Sequence, residues 1–516
     1  MGEPKSTQNS ENCVFIRFTS IIISRINITL QVHLFCYIFD AFITHFLYNN
    51  GIDILLLEVF MKAIEIVKSS ARIVTNAGLS IVGRILDKAG FHDKCNDLPV
   101  SKAHPEAQIS CSDVFATTIG VLCSGHSSFE SAREFDNDKA FYQDALGIAR
   151  IPSAERLRQR LDEAAVEEET KGLELHNGIR DINLAVLQQE NVRISPLPNG
   201  DIPVDCDVTP YDESKSHKEG VSRTYKGFDG YAPMDAHIGL EGHFINTDFR
   251  IGKQHSQKGT PAFLIETIDL CNQLTDGKLL FRLDSGNDAA ENIGIIMERG
   301  HHFIIKRNPR SESKEDWLAL AKEHAPIHER PRDGKDVYIG STWKTITYIG
   351  MDDRIKHSTI RIVFEITERT IDKHGQVLLI PDIELNTWWD NTGLPDRDVI
   401  EYYHQHGTME QFHSELKTDM DMERLPSGKF ATNRLVHELS MVAYNILRIL
   451  GDHLCDAPDV PMRGDAHRRR LRTIIMHIIR IPARIISHAR KIKMDLGSSN
   501  AWADTFIWLS STVCAA

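Results

Sequence analysis

The chain runs to 516 residues, of which 41% are hydrophobic and 25% charged, a balance that excludes a disordered polymer and leaves room for about two to four domains around a large core. Its formal net charge of -13 excludes a uniformly basic nucleic-acid binder, so any surface for a polyanion must be local. The nine cysteines are scattered, with no Cys-x2-Cys pair and no zinc-ribbon spacing, which fits a reducing cytoplasm.

Residues 14 to 60 are rich in Ile, Phe and Leu, but Arg25, Asn27, Gln31, His33 and Asp40 interrupt them. No run of about 20 apolar residues survives, so a membrane span is not expected. Ordinary helical patterning begins only at Met61, and residues 1–60 are read as an extension without a role in the fold. From 61 to about 190 the pattern is helical. Val74, Leu79, Ile81, Val82, Ile85 and Leu86 make one apolar face, with Gly90 as a stop. Further on, Pro152 precedes Ser153, a candidate N-cap for a helix carrying Arg156, Arg158 and Arg160 outward and Leu157 and Leu161 inward. This helix suits either the second element of a DNA-binding helix-turn-helix or an ordinary amphipathic helix with solvated arginines.

After Pro198 the periodicity changes. Strands are expected at 202–210, 230–239 and 243–252, forming an antiparallel meander, followed by a helix at 261–274, a strand at 278–284, a helix at 289–300 and a strand at 301–307. Such β-α-β units imply parallel strands joined by right-handed crossovers. Between 335 and 390 further strand-like runs suggest a β-rich insertion, and helical patterning returns at 408–418 and 431–450. The segment 463–494 then holds ten basic residues, Arg468, Arg469 and Arg470 among them, against the single acid Asp465. That asymmetry marks a footprint for a polyanion, with DNA the preferred one. A membrane-surface helix has a similar pattern.

Three acidic residues stand out. Asp284 ends the apolar run LLFRLD and is followed at once by Ser285, Gly286 and Asn287; a carboxylate there serves either turn chemistry or a catalytic site. Asp207, in DCDVT, is the candidate on the first strand, with Asp205 on the same strand face as its alternate. Glu410 falls in the first turn of the helix beginning near Thr408, seven residues before Lys417. Hard divalent cations take such oxygen ligands while keeping several waters. The scattered His217, His237, His243, His255, His301 and His302 lack zinc-site spacing, and no glycine-rich phosphate loop occurs.

DCDVT, RLDSG and the block Tyr403-x2-His406-x3-Glu410-x6-Lys417 resemble the three signatures of insertion-sequence transposases of the DDE type. The match is to the group whose last motif reads Tyr-x2-Arg-x3-Glu-x6-Lys, with His406 standing where that family has Arg. The resemblance extends over much of 61–500. It implies a ribonuclease H-like mixed sheet flanked by helices, α/β to α+β in class, and an enzyme of the bacterial nucleoid without membrane association. It also implies that Asp207, Asp284 and Glu410 hold two Mg2+ ions, with Mn2+ able to substitute, and that Tyr403, His406 and Lys417 contact phosphates. The reaction implied is cleavage at transposon ends and strand transfer to target DNA, carried out by a homodimer in synapsis. The organisation then expected is an extension at 1–60, a helical DNA-binding region at 61–190 and the first part of the catalytic core at 198–310. A β-rich insertion at 311–395, the last part of the core with the Glu410 helix at 396–455 and a basic helical region at 456–516 complete it. The rival readings are a two-metal nuclease without strand transfer and an inactive or domesticated DNA-binding protein.

Overall fold

Residues 64–103, 107–172, 174–464, 466–488 and 491–515 are described by the computed structural model; the extension expected at 1–60 lies outside them. Most of the apolar face read from the N-terminal pattern is real: Leu79, Ile81, Val82, Ile85 and Leu86 are all buried in the helix Leu79–Lys88, but Val74, expected on the same face, lies in the strand Arg72–Val74. Ser153 caps helix α1 (Ala154–Lys171) by accepting a hydrogen bond from the Arg156 backbone N–H at 3.3 Å, which satisfies one of the donors a helix start leaves open. Leu157 and Leu161 of α1 face inward, and helix α2 (Leu175–Gln189) follows.

The centre of the molecule is a mixed sheet. Its first five strands are β1 (Ile202–Val208), β2 (Met234–Ile238), β3 (His243–Asp248), β4 (Leu279–Leu283) and β5 (His302–Lys306). Helix α3 (Thr260–Cys271) links β3 to β4, and α4 (Ala290–Glu298) links β4 to β5. The expected strand at 230–239 is in fact two: Asp229–Tyr231 joins a separate small sheet, and β2 begins only at Met234. Pro233 sits at the break, where a residue without an N–H cannot donate to a ladder. The β-rich insertion supplies β6 (Ile327–Arg332), β7 (Lys335–Ile349), β8 (Ile355–Ile371) and β9 (Val377–Asp390). It extends the same sheet, because β9 pairs antiparallel with β5. The full order is β6-β7-β8-β9-β5-β4-β1-β2-β3, with β1, β4 and β5 mutually parallel and β2 antiparallel to β1 and β3.

Strand alternation decides what each face carries. Ile202, Val204, Cys206 and Val208 of β1 pack with Phe263, Leu264 and Ile268 of α3 and Ile293 and Ile296 of α4. Asp205 and Asp207 therefore point to the opposite face. On β4, Leu279, Phe281 and Leu283 join that same core, while Leu280 packs with Val399, Ile400 and Tyr402. These last three belong to helix α5 (Asp396–His404). Burying each is worth about 1.5–3 kcal/mol, and together they fix α5 against the site face of the sheet.

After α5 come a 3-10 turn at Gln405–Gly407, helix α6 (Thr408–Ser414), a π-helical turn at Glu415–Asp419 and the long helix α7 (Phe430–Asp456). The helix expected at 408–418 thus changes its winding midway, from i→i+4 to i→i+5 bonding. α7 is buried on nearly every side, in one core with α1, α2 and the helix Cys111–Cys123. It also covers the open edge of the sheet: the Asn445 side chain accepts from the Phe244 N–H at 2.8 Å and donates to the Phe244 carbonyl at 2.6 Å, supplying both partners an edge strand lacks. The C-terminal region is not wholly helical as expected. Ala483–His488 and Lys491–Asp495 pair antiparallel, and the first of these also pairs with Arg72–Val74. Burial alternates along Ala483, Arg484, Ile485 and Ile486 after Pro482, and β-branched Ile suits a strand once an acceptor strand exists. Among the described residues, no helix is long and apolar enough to cross a membrane.

Candidate active site

Two residues upstream of Asp207 and of Asp284, the parallel ladder places Asp205 opposite Arg282. Both are fully buried and form a fork-on-fork pair, with Arg282 Nε donating to Asp205 Oδ1 at 2.6 Å and the Arg282 terminal nitrogen donating to Oδ2 at 2.7 Å. Arg282 also donates to the Tyr402 carbonyl of α5 at 2.9 Å, and His406 Nδ1 lies 2.9 Å from Asp205 Oδ1. One buried ion pair thus ties β1, β4 and the segment leading to Glu410. Burial opposes ionisation of Asp205, but Arg282 and His406 outweigh it and hold the carboxyl down to about 2. Asp205, the alternate candidate, has both oxygens committed to this pairing, whereas Asp207 lies one strand repeat nearer the end.

Asp207 and Asp284 meet at the ends of these neighbouring strands. Burial, and then the charge of Asp284, push the Asp207 carboxyl up to about 7 against the opposing pull of His406 and Lys226. Burial also raises Asp284, against hydrogen bonds from Asn287 and Gly286 and the charge of His406. The turn reading of Asp284 holds as well. Its Oδ1 accepts from the Gly286 N–H at 3.1 Å and from the Asn287 amide at 2.7 Å, capping the 3-10 turn Ser285–Asn287. Both bonds fall on one oxygen, and the turn aims the carboxylate. Gly286 makes this possible: a Cβ there would come within 2.7 Å of Ser256 Oγ and 3.2 Å of Asp284 Oδ1.

Glu410 lies in the first turn of α6 with its side chain exposed. Among the described residues, no group of three or more His, Cys, Asp and Glu side chains gathers closely enough to hold a metal ion. Of the three carboxylates, Asp207 and Asp284 are the two set at the adjacent ends of β1 and β4, near enough for the charge of Asp284 to act on Asp207. Their chemistry suits a hard divalent cation: two half-buried carboxylates at electrostatic cost to each other, relieved by a positive charge between them.

The flanking residues separate into two kinds. His406 packs 5.9 Å from the Tyr403 ring, centre to centre. Burial works against its charge, but Asp205 and then Asp207 prevail and raise its pKa, which makes His406 a partner of the strand carboxylates. Tyr403 is half-buried, its hydroxyl pushed upward by burial and by Asp284 and Asp207. Lys417 stands in the π-helical turn with Nζ 5.7 Å from the Tyr211 ring centre; burial and the nearby Lys226 lower its pKa.

The arginines expected on DNA are mostly committed inside the chain, a correction to their reading as a free basic surface. Arg468 forks onto the buried carboxylate of Glu415 at 2.8 and 2.5 Å, its guanidinium 4.6 Å from the Phe412 ring centre. Arg470 binds Asp419 at 2.8 and 3.0 Å. Both clamp the π-helical turn behind α6, because a buried carboxylate demands a paired cation. Arg469 contributes its backbone carbonyl to Arg448 at 2.7 Å. On α1, Arg158 pairs with Glu155 and with Asp162, and Arg156 donates to Gln159 at 3.1 Å, the pattern of an amphipathic helix. Residues missed by sequence reasoning are Arg282, Tyr225 and Lys226. Arg282 had a signal: an arginine inside a buried strand needs a carboxylate across the ladder, and Asp205 was in the matching motif.

Comparison with known proteins adds the family. The model of the transposase DDE domain group 1 matches residues 57–514. No curated protein matches. Among solved structures, the chain is similar to the piggyBac transposase synaptic complex with hairpin DNA, at 10% identity and a TM-score of 0.40 over 79% of this chain and 81% of that one. With a match that spans nearly its whole length, this chain belongs to the transposase DDE domain group 1 family.

Proposed function

We propose that the chain is a DNA transposase that cleaves phosphodiester bonds at transposon ends and joins the freed 3′-hydroxyl to target DNA. The observation that carries this reading is the meeting of Asp207 and Asp284 at the ends of adjacent parallel strands, where each carboxyl is raised above its ordinary range. The strand order β3-β2-β1-β4-β5 with these directions supports a ribonuclease H-like core, and membership of the family supports DNA as the partner. Asp207 and Asp284 would hold Mg2+, with Mn2+ as a substitute and two ions as the working number. When bound, such an ion supplies Lewis-acid polarisation of a phosphoryl oxygen and a lowered pKa for an attacking water or hydroxyl. Glu410 is the third carboxylate in this proposal, delivered by α6.

The chain's own groups do the rest. Asp207, near neutrality in pKa, retains a proton or a cation and so sets the charge presented to the phosphate. Lys417 and Lys226 draw the DNA backbone to the carboxylates. Arg282 and Asp205 keep β1 and β4 in register behind them. A pair of such chains would bring two DNA ends together.

The test is incubation of purified chain with labelled DNA carrying the element's own ends, in Mg2+ or Mn2+, with Asp284→Asn beside it. The substituted chain should bind and not cut, since Asn keeps the turn cap while removing the charge. Cutting without joining to target DNA would leave a nuclease; binding with no cutting by the unaltered chain would leave a DNA-binding protein.

A further inference from the structure

The hairpin between β1 and β2 carries residues that no signature motif includes. Tyr225 and Lys226 occupy its turn, between the short strands Ser222–Arg223 and Asp229–Tyr231. The turn is rigid. Thr224 donates from both its N–H and its hydroxyl to the Phe228 carbonyl, each at 2.8 Å, and the Gly227 N–H donates to the Thr224 carbonyl at 3.0 Å. Gly227 itself has φ +86°, a conformation that favours glycine.

This turn leans back over the end of β1. The Tyr225 hydroxyl donates to the Val208 carbonyl at 3.4 Å, next in chain to Asp207. That end of the ring is tucked in, and Asp207 and Asp284 are near enough to raise its pKa after burial has done so. The residue as a whole is nonetheless 64% exposed. A large aromatic face is thus held open to solvent beside the carboxylate pair, anchored by its polar tip. Lys226 Nζ lies 5.9 Å from the ring centre, and its charge reaches both Asp207 and Lys417.

An exposed ring flanked by a lysine is the arrangement that stacks one nucleobase and neutralises the adjoining phosphate. We propose that Tyr225 is a stacking platform for an unpaired base of the DNA strand next to the bond being cut, with Lys226 binding the phosphate beside it. The inference rests on the DNA-cleaving reading of Asp207 and Asp284. The site takes any base, since every base offers a π face, and it favours single-stranded or frayed ends over intact duplex.

The probe is a short single-stranded oligonucleotide carrying one 2-aminopurine, titrated into the full chain without divalent metal. Binding should quench the fluorescence. Tyr225→Ala should weaken binding about tenfold and remove the quench, whereas Tyr225→Phe should retain both. Lys226→Ala should lower the slope of log affinity against log salt by about one ion. Unchanged affinity and quench in Tyr225→Ala, or equal damage from Phe and Ala, would overturn the proposal. The cleavage assay with Asp284→Asn reads the carboxylates separately. A chain that never cuts DNA yet shows the Tyr225-dependent quench would keep base stacking on Tyr225 but overturn its place beside a scissile bond, together with the transposase reading.

Discussion

Replacing Arg282 by Met should be among the most damaging single changes in this protein, although Arg282 touches no substrate. The side chains of Arg282 and Asp205 are 2% and 4% exposed. Removing the guanidinium leaves a buried carboxylate with only His406 beside it, and breaking such a pair from one side costs about 3–5 kcal/mol. A second route gives a similar scale: a carboxyl held at about 2 rather than the ordinary 3.8 contributes about 2 kcal/mol at neutral pH. Its folded pKa is depressed, so that contribution is present above about pH 4 and is lost as pH falls through 2. The entropy of unfolding for a chain of 516 residues is about 1 kcal/mol per kelvin if it melts as one unit, so the melting temperature should fall by about 3–5 °C. Differential scanning fluorimetry and urea titration read this directly. The double change Arg282→Met with Asp205→Leu removes both charges and should recover much of the lost stability, but not DNA cleavage, because β1, β4 and α5 lose their common tie. A stability loss under about 1 kcal/mol for Arg282→Met, or full cleavage by the double variant, would refute the argument.

Other outcomes follow from the same geometry. In metal-free buffer, Asp207→Asn should raise the melting temperature at pH 8 and give no gain near pH 4. The reason is that a carboxyl raised to about 7 contributes stability below its unfolded pKa that disappears as pH rises through 7; a pH series of melting curves checks this. Added Mg2+ should stabilise the unaltered chain at pH 8 and leave Asp207→Asn unmoved. Arg468→Ala strands the buried Glu415 and should cost about 3 kcal/mol or more, with the salt dependence of DNA affinity unchanged, measured by denaturant titration and by binding at several ionic strengths. Gly286→Ala forces Ser256 and the Asp284 carboxylate apart, so cleavage should drop at least tenfold while the melting temperature shifts by no more than a few degrees.

Local chemistry alone decided much of this molecule. The alternation in IPVDCDV and LLFRLD is a strand signal whichever way the chain is folded, because period two assigns alternate side chains to opposite faces. The same holds for the apolar face of Leu79–Lys88, the Ser153 cap and the Asp284 turn, each specified within a few residues. Charge partnership is another matter. Arg468 and Arg470 belong to a basic run, and the run said polyanion; the structure answers with Glu415 and Asp419, some fifty positions away. The helix carrying Glu410 was readable as a helix, but its change of winding at Glu415 depends on that clamp. Arg282 met Asp205 only because β1 and β4 lie side by side in parallel register, and Tyr225 reached Val208 only because its hairpin folds back on β1. The sequence by itself determined those elements whose pattern is complete within a few residues, and it singled out Asp207 and Asp284 at strand ends, since both depend on neighbours close in the chain. Tertiary structure alone decided which cations are spent internally and which remain open to solvent, since a charge pairs with whatever the fold sets beside it.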